Sequence, residues 1–109
     1  MPDRPLVLVS FGFLHLRTDA HGRPVLPEAD RIEDVRKRLR DPAAARELLD
    51  NLTDYAALPA GPRRIAVGCA GGRHRACALI ELLAQRVADR GIAAMTLHLH
   101  AHLPRVLKN

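Results

Sequence analysis

The sequence predicts a small α/β domain: a mostly parallel sheet flanked by helices, with a glycine-rich, anion-binding loop between a strand and a helix. Three observations carry this reading. Apolar, β-branched runs at Leu6 to Gly12 and Ile65 to Cys69 have the composition of strands buried on both faces. Two further stretches repeat apolar residues at helical spacing. Strand and helix alternate along the chain, an order that calls for parallel crossovers.

The first strand, Leu6 to Gly12, ends on a glycine. Leu14 to Glu28 has no clear period and holds Gly22, Pro24 and Pro27, so a loop or loose hairpin is expected. Asp30 to Arg36 is ambiguous, because Ile32 and Val35 do not alternate strictly. Asp41-Pro42 is a sharp helix start, with Asp as N-cap and Pro in the first helical position. Ala45, Leu48, Leu49 and Leu52 then form one apolar stripe, and Pro59 and Gly61 stop the helix. Ile65 to Cys69 is the second clear strand, followed by the glycine loop Ala70 to Arg75. Ala76, Leu79, Ile80, Leu83 and Val87 place a stripe on a second helix that ends at Gly91. Ile92 to Leu97 is the last strand-like run. His98, His100 and His102 follow it, and Pro104 ends regular structure.

At 109 residues the chain is read as one domain, 1–109, able to bury roughly two-thirds of its unfolded surface. With 48% hydrophobic residues it needs neither disulfides nor a structural metal. Cys69 and Cys77 are too few for a disulfide scaffold or a four-Cys zinc site. No apolar run approaches the roughly 20 residues of a membrane span, and Leu6 to Val9 is too short for a signal peptide, so a cytoplasmic location is expected. Aromatic residues (Phe11, Phe13, Tyr55) are 3% of the chain, which argues against base-stacking platforms for single-stranded nucleic acid. The net charge is +5, and of 17 cations only Lys37 and Lys108 are lysines. This arginine bias fits either phosphate recognition or the base composition of the genome.

The informative segment is Gly68-Cys69-Ala70-Gly71-Gly72-Arg73-His74-Arg75. Glycines permit positive φ and close backbone approach. Successive N–H groups then face one concavity, and a helix N-terminus adds partial positive charge. Arg73, His74 and Arg75 oppose the helix dipole there, a cost that an anion relieves. No G-x-x-x-x-G-K-[ST] motif occurs, so ATP hydrolysis has no support. The same segment reads as Cys69-x5-Arg75, the skeleton of cysteine-dependent phosphatases, in which a thiolate attacks phosphorus. Ala76 stands where those enzymes carry a hydroxyl. Asp34 and Asp41 are only positional candidates for a general acid. Catalysis by Cys69 and Arg75 is therefore the alternative to binding.

Val9-Ser10-Phe11-Gly12-Phe13, Asp34-Val35-Arg36 and the glycine loop through Arg73-His74-Arg75 together resemble the C-terminal domain of RapZ, the RNase adapter protein. The resemblance covers most of the chain. It implies a stand-alone copy of a phosphosugar-binding domain that senses glucosamine-6-phosphate and binds small RNA. The chain departs from that family at Ala70 and Ala76, where the family has Thr and Ser, and at His98-Leu99-His100, where it has Arg-His-Arg.

In open α/β sheets ligands sit beyond the carboxyl ends of the strands, and polar residues collect at those ends here. The expected ligand-binding set is Ser10, Gly12, Asp34, Arg36, Cys69, Ala70, Gly71, Gly72, Arg73, His74, Arg75, His98 and His100. His98, His100 and His102 alternate, which on a strand places all three on one face. A metal is not expected, because no second ligand cluster accompanies them. Asp34 with Arg36 could orient a sugar hydroxyl. Arg31, Arg36, Lys37, Arg38 and Arg40 form a basic stretch that is either solvated or an RNA-phosphate surface. Cys77 is expected to pack within its helix. The function expected from sequence is recognition of a phosphorylated small molecule, a phosphosugar or a nucleotide. It requires no cofactor, and RNA and a second copy of the chain are candidate partners in a regulatory role; the third reading is an RNA-binding or protein-interaction module without a metabolite.

Overall fold

The computed structural model describes residues 5–36 and 41–104. Strand β1 (Leu6–Gly12) leads through a 3-10 turn (Phe13–His15) and irregular chain to β2 (Arg31–Asp34). Helix α1 (Pro42–Ala56), β3 (Arg64–Cys69), α2 (Arg75–Asp89) and β4 (Ala94–His98) follow. The strands form one sheet in the order β2-β3-β1-β4, every pair parallel, as the α/β reading expects. Asp30 to Arg36, ambiguous in sequence, supplies the β2 edge.

Side chains alternate across the sheet. On one face Leu6, Leu8, Ile65, Val67 and Cys69 meet Leu49 and Leu52 of α1 and Ala76, Leu79, Ile80, Leu83 and Val87 of α2. On the other, Val9, Phe11 and Ala66 are covered by Phe13, Leu16, Ala29 and Ile32. Leu8, Ile65, Ile80 and Leu83 are completely buried, each contributing about 1.5–3 kcal/mol of hydrophobic stabilisation. Both helices therefore lie on one face of the sheet, which they flank as the α/β reading expects. Handedness explains it. From β1 the chain crosses β3 to reach β2, then returns in the opposite direction through α1 and α2, and right-handed crossovers in opposite directions fall on opposite faces.

The local signals hold. The Asp41 side chain accepts the Ala43 N–H and Pro42 opens α1. Gly91 adopts φ 78°. Its N–H reaches the Ala88 carbonyl and the Ile92 N–H reaches that of Val87, the paired bonds of a Schellman stop. Ile92 thus belongs to the helix stop, so β4 starts two residues later than the apolar run suggests. Between β1 and β2 a single antiparallel bridge, Thr18 with Pro24, makes the loose hairpin.

Candidate functional site

With all strands parallel, the residues expected from sequence gather at one edge of the sheet. β1 and β3 are neighbours whose connections leave toward opposite faces, which makes the crevice beyond Gly12 and Cys69 the topological switch point. The glycine loop closes onto it. Gly72 has φ 72°. A Cβ on Gly72 would lie 2.5 Å from the Gly12 nitrogen, and one on Gly12 would lie 2.4 Å from the Gly71 carbonyl carbon. Only glycine allows the two backbones this approach. The Gly72 N–H donates to Cys69 Sγ at 3.1 Å, and the Leu14 N–H donates to the Ala70 carbonyl at 3.0 Å.

Helix α2 starts immediately after the loop, with Arg75 as its first residue and His74 as an N-cap that makes no side-chain capping bond. Arg73, His74 and Arg75 are all exposed. The β2 side adds a further cation. The Val35 N–H donates to the Gly68 carbonyl at 2.8 Å, which draws residues 34–36 alongside the loop. The Arg36 guanidinium pairs with Asp34 at 2.6 Å and lies over the Phe13 ring at 3.8 Å from its centroid. The hydrogen bonds that Arg36 donates to Asp34 hold it still more firmly in its charged form. Arg75 Nη1 donates to the Arg36 carbonyl at 3.3 Å, joining β2 to the helix start.

The histidines are not arranged as expected. β4 ends at His98 and the chain turns, so His98, His100 and His102 do not share a strand face. His98 points to the helix side, with Nδ1 2.5 Å from Ser10 Oγ. His100 folds back so that its Nδ1 accepts the Gly12 N–H at 2.8 Å. Burial lowers the His100 pKa, and His15 and His102 lower it further by charge repulsion. His102 is exposed.

Three participants escape the sequence reading. His15 lies with its ring centroid 5.2 Å from that of His100, and its Nε2 is buried without a hydrogen-bond partner. Cys77 is corrected from a packing residue: its half-buried Sγ donates to the Gly72 carbonyl at 3.1 Å and lies 3.5 Å from Ser10 Oγ. Glu81 meets His98 Nε2 at 2.9 Å. The signal for Cys77 and Glu81 was their i, i+4 spacing on α2, which puts both over the β1–β4 edge. Nothing in the period of residues 14–28 marks His15.

Chemically, the edge brings together a close-packed glycine turn, a helix start without a side-chain cap, and Arg36, Arg73 and Arg75, residue types suited to an oxyanion. Cys69 is buried, and its Sγ accepts the Gly72 N–H. Among the described residues no cluster of three or more His, Cys, Asp or Glu could hold a metal ion. Nor is any described helix long and apolar enough to cross a membrane.

Residues 51–102 match the family model of the RapZ C-terminal domain, so the resemblance read through the glycine loop holds. A nucleotide-binding protein of Thermobifida fusca is 34% identical over 113 residues, covering 84% of this chain and 38% of that protein. One from Streptomyces coelicolor is 33% identical over 119 residues, covering 89% of this chain and 40% of its own. One from Streptomyces griseus is 39% identical over 74 residues, covering 61% and 22%. The chain spans about two fifths or less of the length of these curated relatives.

Proposed function

We propose that this chain, whose residues 51–102 match the family model of the RapZ C-terminal domain, binds the phosphate of a small metabolite in the loop from Cys69 to Arg75. The observation that carries the reading is the glycine loop at the switch point, running into a helix whose N-terminus is uncapped and surrounded by arginines. In this reading the loop N–H groups and Arg73 and Arg75 hold the phosphate. Asp34, Arg36, His98 and His100 flank the rest of the ligand, with Ser10 buried behind His98 and corrected from a ligand contact to its support, and Asp34 orients a sugar hydroxyl. The family resemblance favours a phosphosugar of the glucosamine-6-phosphate kind. The relatives' designation as nucleotide-binding proteins favours a nucleotide. Both share the phosphate that the loop addresses.

Thermal melts in sulfate, phosphate, glucosamine-6-phosphate and a nucleotide test this. A ligand at 100 times its Kd adds about 2.7 kcal/mol of stability, and Arg75→Ala removes most of that gain. If none of the four shifts the Tm of the wild-type domain, the reading fails. The domain is a binder in this account, so no turnover of an aryl phosphate is expected. Hydrolysis that disappears in Cys69→Ser would instead make it a phosphatase.

Contact with RNA is a further role the family resemblance suggests, supported here by the +5 charge. Arg31 is bonded to Glu33 and lies over Tyr55, while Arg36 is held by Asp34. Lys37, Arg38 and Arg40 lie outside the described residues. Binding through phosphate contacts alone weakens steeply with salt and does not separate a structured RNA from a scrambled one.

A further inference from the structure

Four polar contacts run in series from the surface to the glycine loop. Glu81 Oε2, on the exposed side of α2, is 2.9 Å from His98 Nε2. His98 Nδ1 is 2.5 Å from Ser10 Oγ, and Ser10 Oγ is 3.5 Å from Cys77 Sγ. Cys77 Sγ donates to the Gly72 carbonyl at 3.1 Å. Ser10 is completely buried although it stands in the apolar row Leu6, Leu8, Ser10 of β1. A buried hydroxyl has to be hydrogen-bonded, and these contacts are what satisfies it.

Hydrogen supply decides the state of this chain. Its four gaps each take one hydrogen. With Glu81 ionised and His98 neutral only three are present: the Nε2–H toward Glu81, the Ser10 hydroxyl toward Nδ1, and the Cys77 thiol toward Gly72. The gap between Ser10 and Cys77 is then left with two lone pairs face to face, and the Cys77 thiol can close it only by turning to Ser10 and releasing the Gly72 carbonyl. A proton on His98 supplies the fourth. Nδ1–H now donates to Ser10 Oγ, the Ser10 hydroxyl turns to Cys77 Sγ, and the imidazolium pairs with the Glu81 carboxylate. Among the described residues the charged group facing the ring is Glu81 of α2, and the other titratable group on the chain is Cys77, reached through Ser10 of β1.

We infer that His98 is a positioning residue: when protonated against Glu81 it completes a hydrogen-bond chain through Ser10 and Cys77 that fixes the Gly72 peptide, and so couples the anion loop to pH. Gly72 is the point at which the loop touches both Cys69 and Gly12, so holding its carbonyl holds the cradle. This inference rests on the loop being the phosphate site, and its test separates the two.

Two measurements decide it. Sulfate stays fully ionised near neutrality, so it is the probe, titrated calorimetrically at about pH 5.5 and about pH 8. Wild type is expected to bind about fivefold tighter at the lower pH, a modest coupling between sites. His98→Asn and Cys77→Ala should both reduce that dependence by the same amount, leaving what His74 and His100 at the loop contribute; Cys77→Ala keeps the His98 imidazole and its charge but cuts the link to Gly72. A Cys77→Ala variant with the wild-type pH dependence would overturn the inference, because the charge on His98 would then act without the chain. Separately, in the anion-free wild-type protein, the Gly72 amide resonance should move with the titration of the His98 ring in nuclear magnetic resonance spectra. A Gly72 amide indifferent to that titration also overturns it. If sulfate binds at neither pH the phosphate reading fails, and the Gly72 resonance still decides the hydrogen-bond chain.

Discussion

The two helices begin in opposite ways. Each is 15 residues long and buries one apolar stripe on the same face of the sheet. Helix α1 starts with Asp41, whose carboxylate accepts the Ala43 N–H at 2.9 Å, and Pro42, which has no N–H to satisfy. Its positive end meets a negative charge from its own sequence. Helix α2 starts with Gly71-Gly72-Arg73-His74-Arg75, has no side-chain cap, and sets cations against the positive end of its dipole. Stability alone would favour the first arrangement at both sites. The contrast teaches that the N-terminus of α1 is capped from its own sequence, whereas that of α2 has no side-chain cap and, in the proposed reading, meets its negative charge in a bound phosphate.

The comparison breaks most visibly at Gly72. Gly72→Ala forces a Cβ against the Gly12 backbone at a positive φ, with no flexible side-chain end to yield. A loss of about 2–4 kcal/mol is expected, combining left-handed strain with overpacking. Gly71→Ala meets open space and should change stability by less than about 1 kcal/mol. Chemical denaturation of the two variants checks this, and equal losses would mean that the contact with Gly12 does not hold the loop.

Exchanging the caps sharpens the comparison with smaller effects. Asp41→Ala should cost about 1 kcal/mol and leave sulfate affinity unchanged. His74→Asp gives α2 the capping group it lacks, and should raise stability by about 0.5–1 kcal/mol in anion-free buffer. The same carboxylate would occupy the cradle, so the stabilisation by sulfate should largely disappear. Melts with and without sulfate test both variants together. A His74→Asp protein that is less stable and still responds to sulfate would remove the distinction between the two helix ends.

Much of this was legible in the sequence because local rules dictate it. Asp41-Pro42 and Gly91 set helix ends through backbone chemistry, and the buried runs of β1 and β3 declare a parallel sheet. The glycine loop declared itself because strand, glycines and helix are contiguous. What escaped depends on tertiary geometry. β2 is an edge strand of four residues, and its sequence, Arg31-Ile32-Glu33-Asp34, is mostly charged, so it lacked the apolar run that marks its neighbours. The histidine alternation implied an extended strand, but β4 runs out of partner at Ser10 and His98, and the chain turns. Cys77 and Glu81 acquire their contacts only because α2 crosses β1 on its way to β4, and His15 is brought to His100 by a turn with no periodicity.

The smallest expected effect separates the two helix ends by pH. No imidazole takes part in the α1 cap, while His100 supports Gly12 beneath the α2 loop through an Nδ1 that accepts an N–H and must therefore be unprotonated. Burial, then repulsion from His15 and His102, lowers its pKa in the folded protein. The folded state thus binds a proton at His100 less readily than the unfolded chain does. The sign follows: this position costs no stability above the unfolded histidine value of about 6.5, and destabilises the fold as pH falls below it. His100→Asn retains a carbonyl acceptor for the Gly12 N–H and cannot be protonated. Wild type and variant should therefore have similar Tm values near pH 8, and the wild type should fall behind progressively toward pH 5. The Gly12 amide resonance should shift with acid in the wild type and stay in place in the variant. Parallel Tm curves across the range would show that the His100 ring carries its proton in the fold as readily as in the unfolded chain, and that Gly12 has some other support.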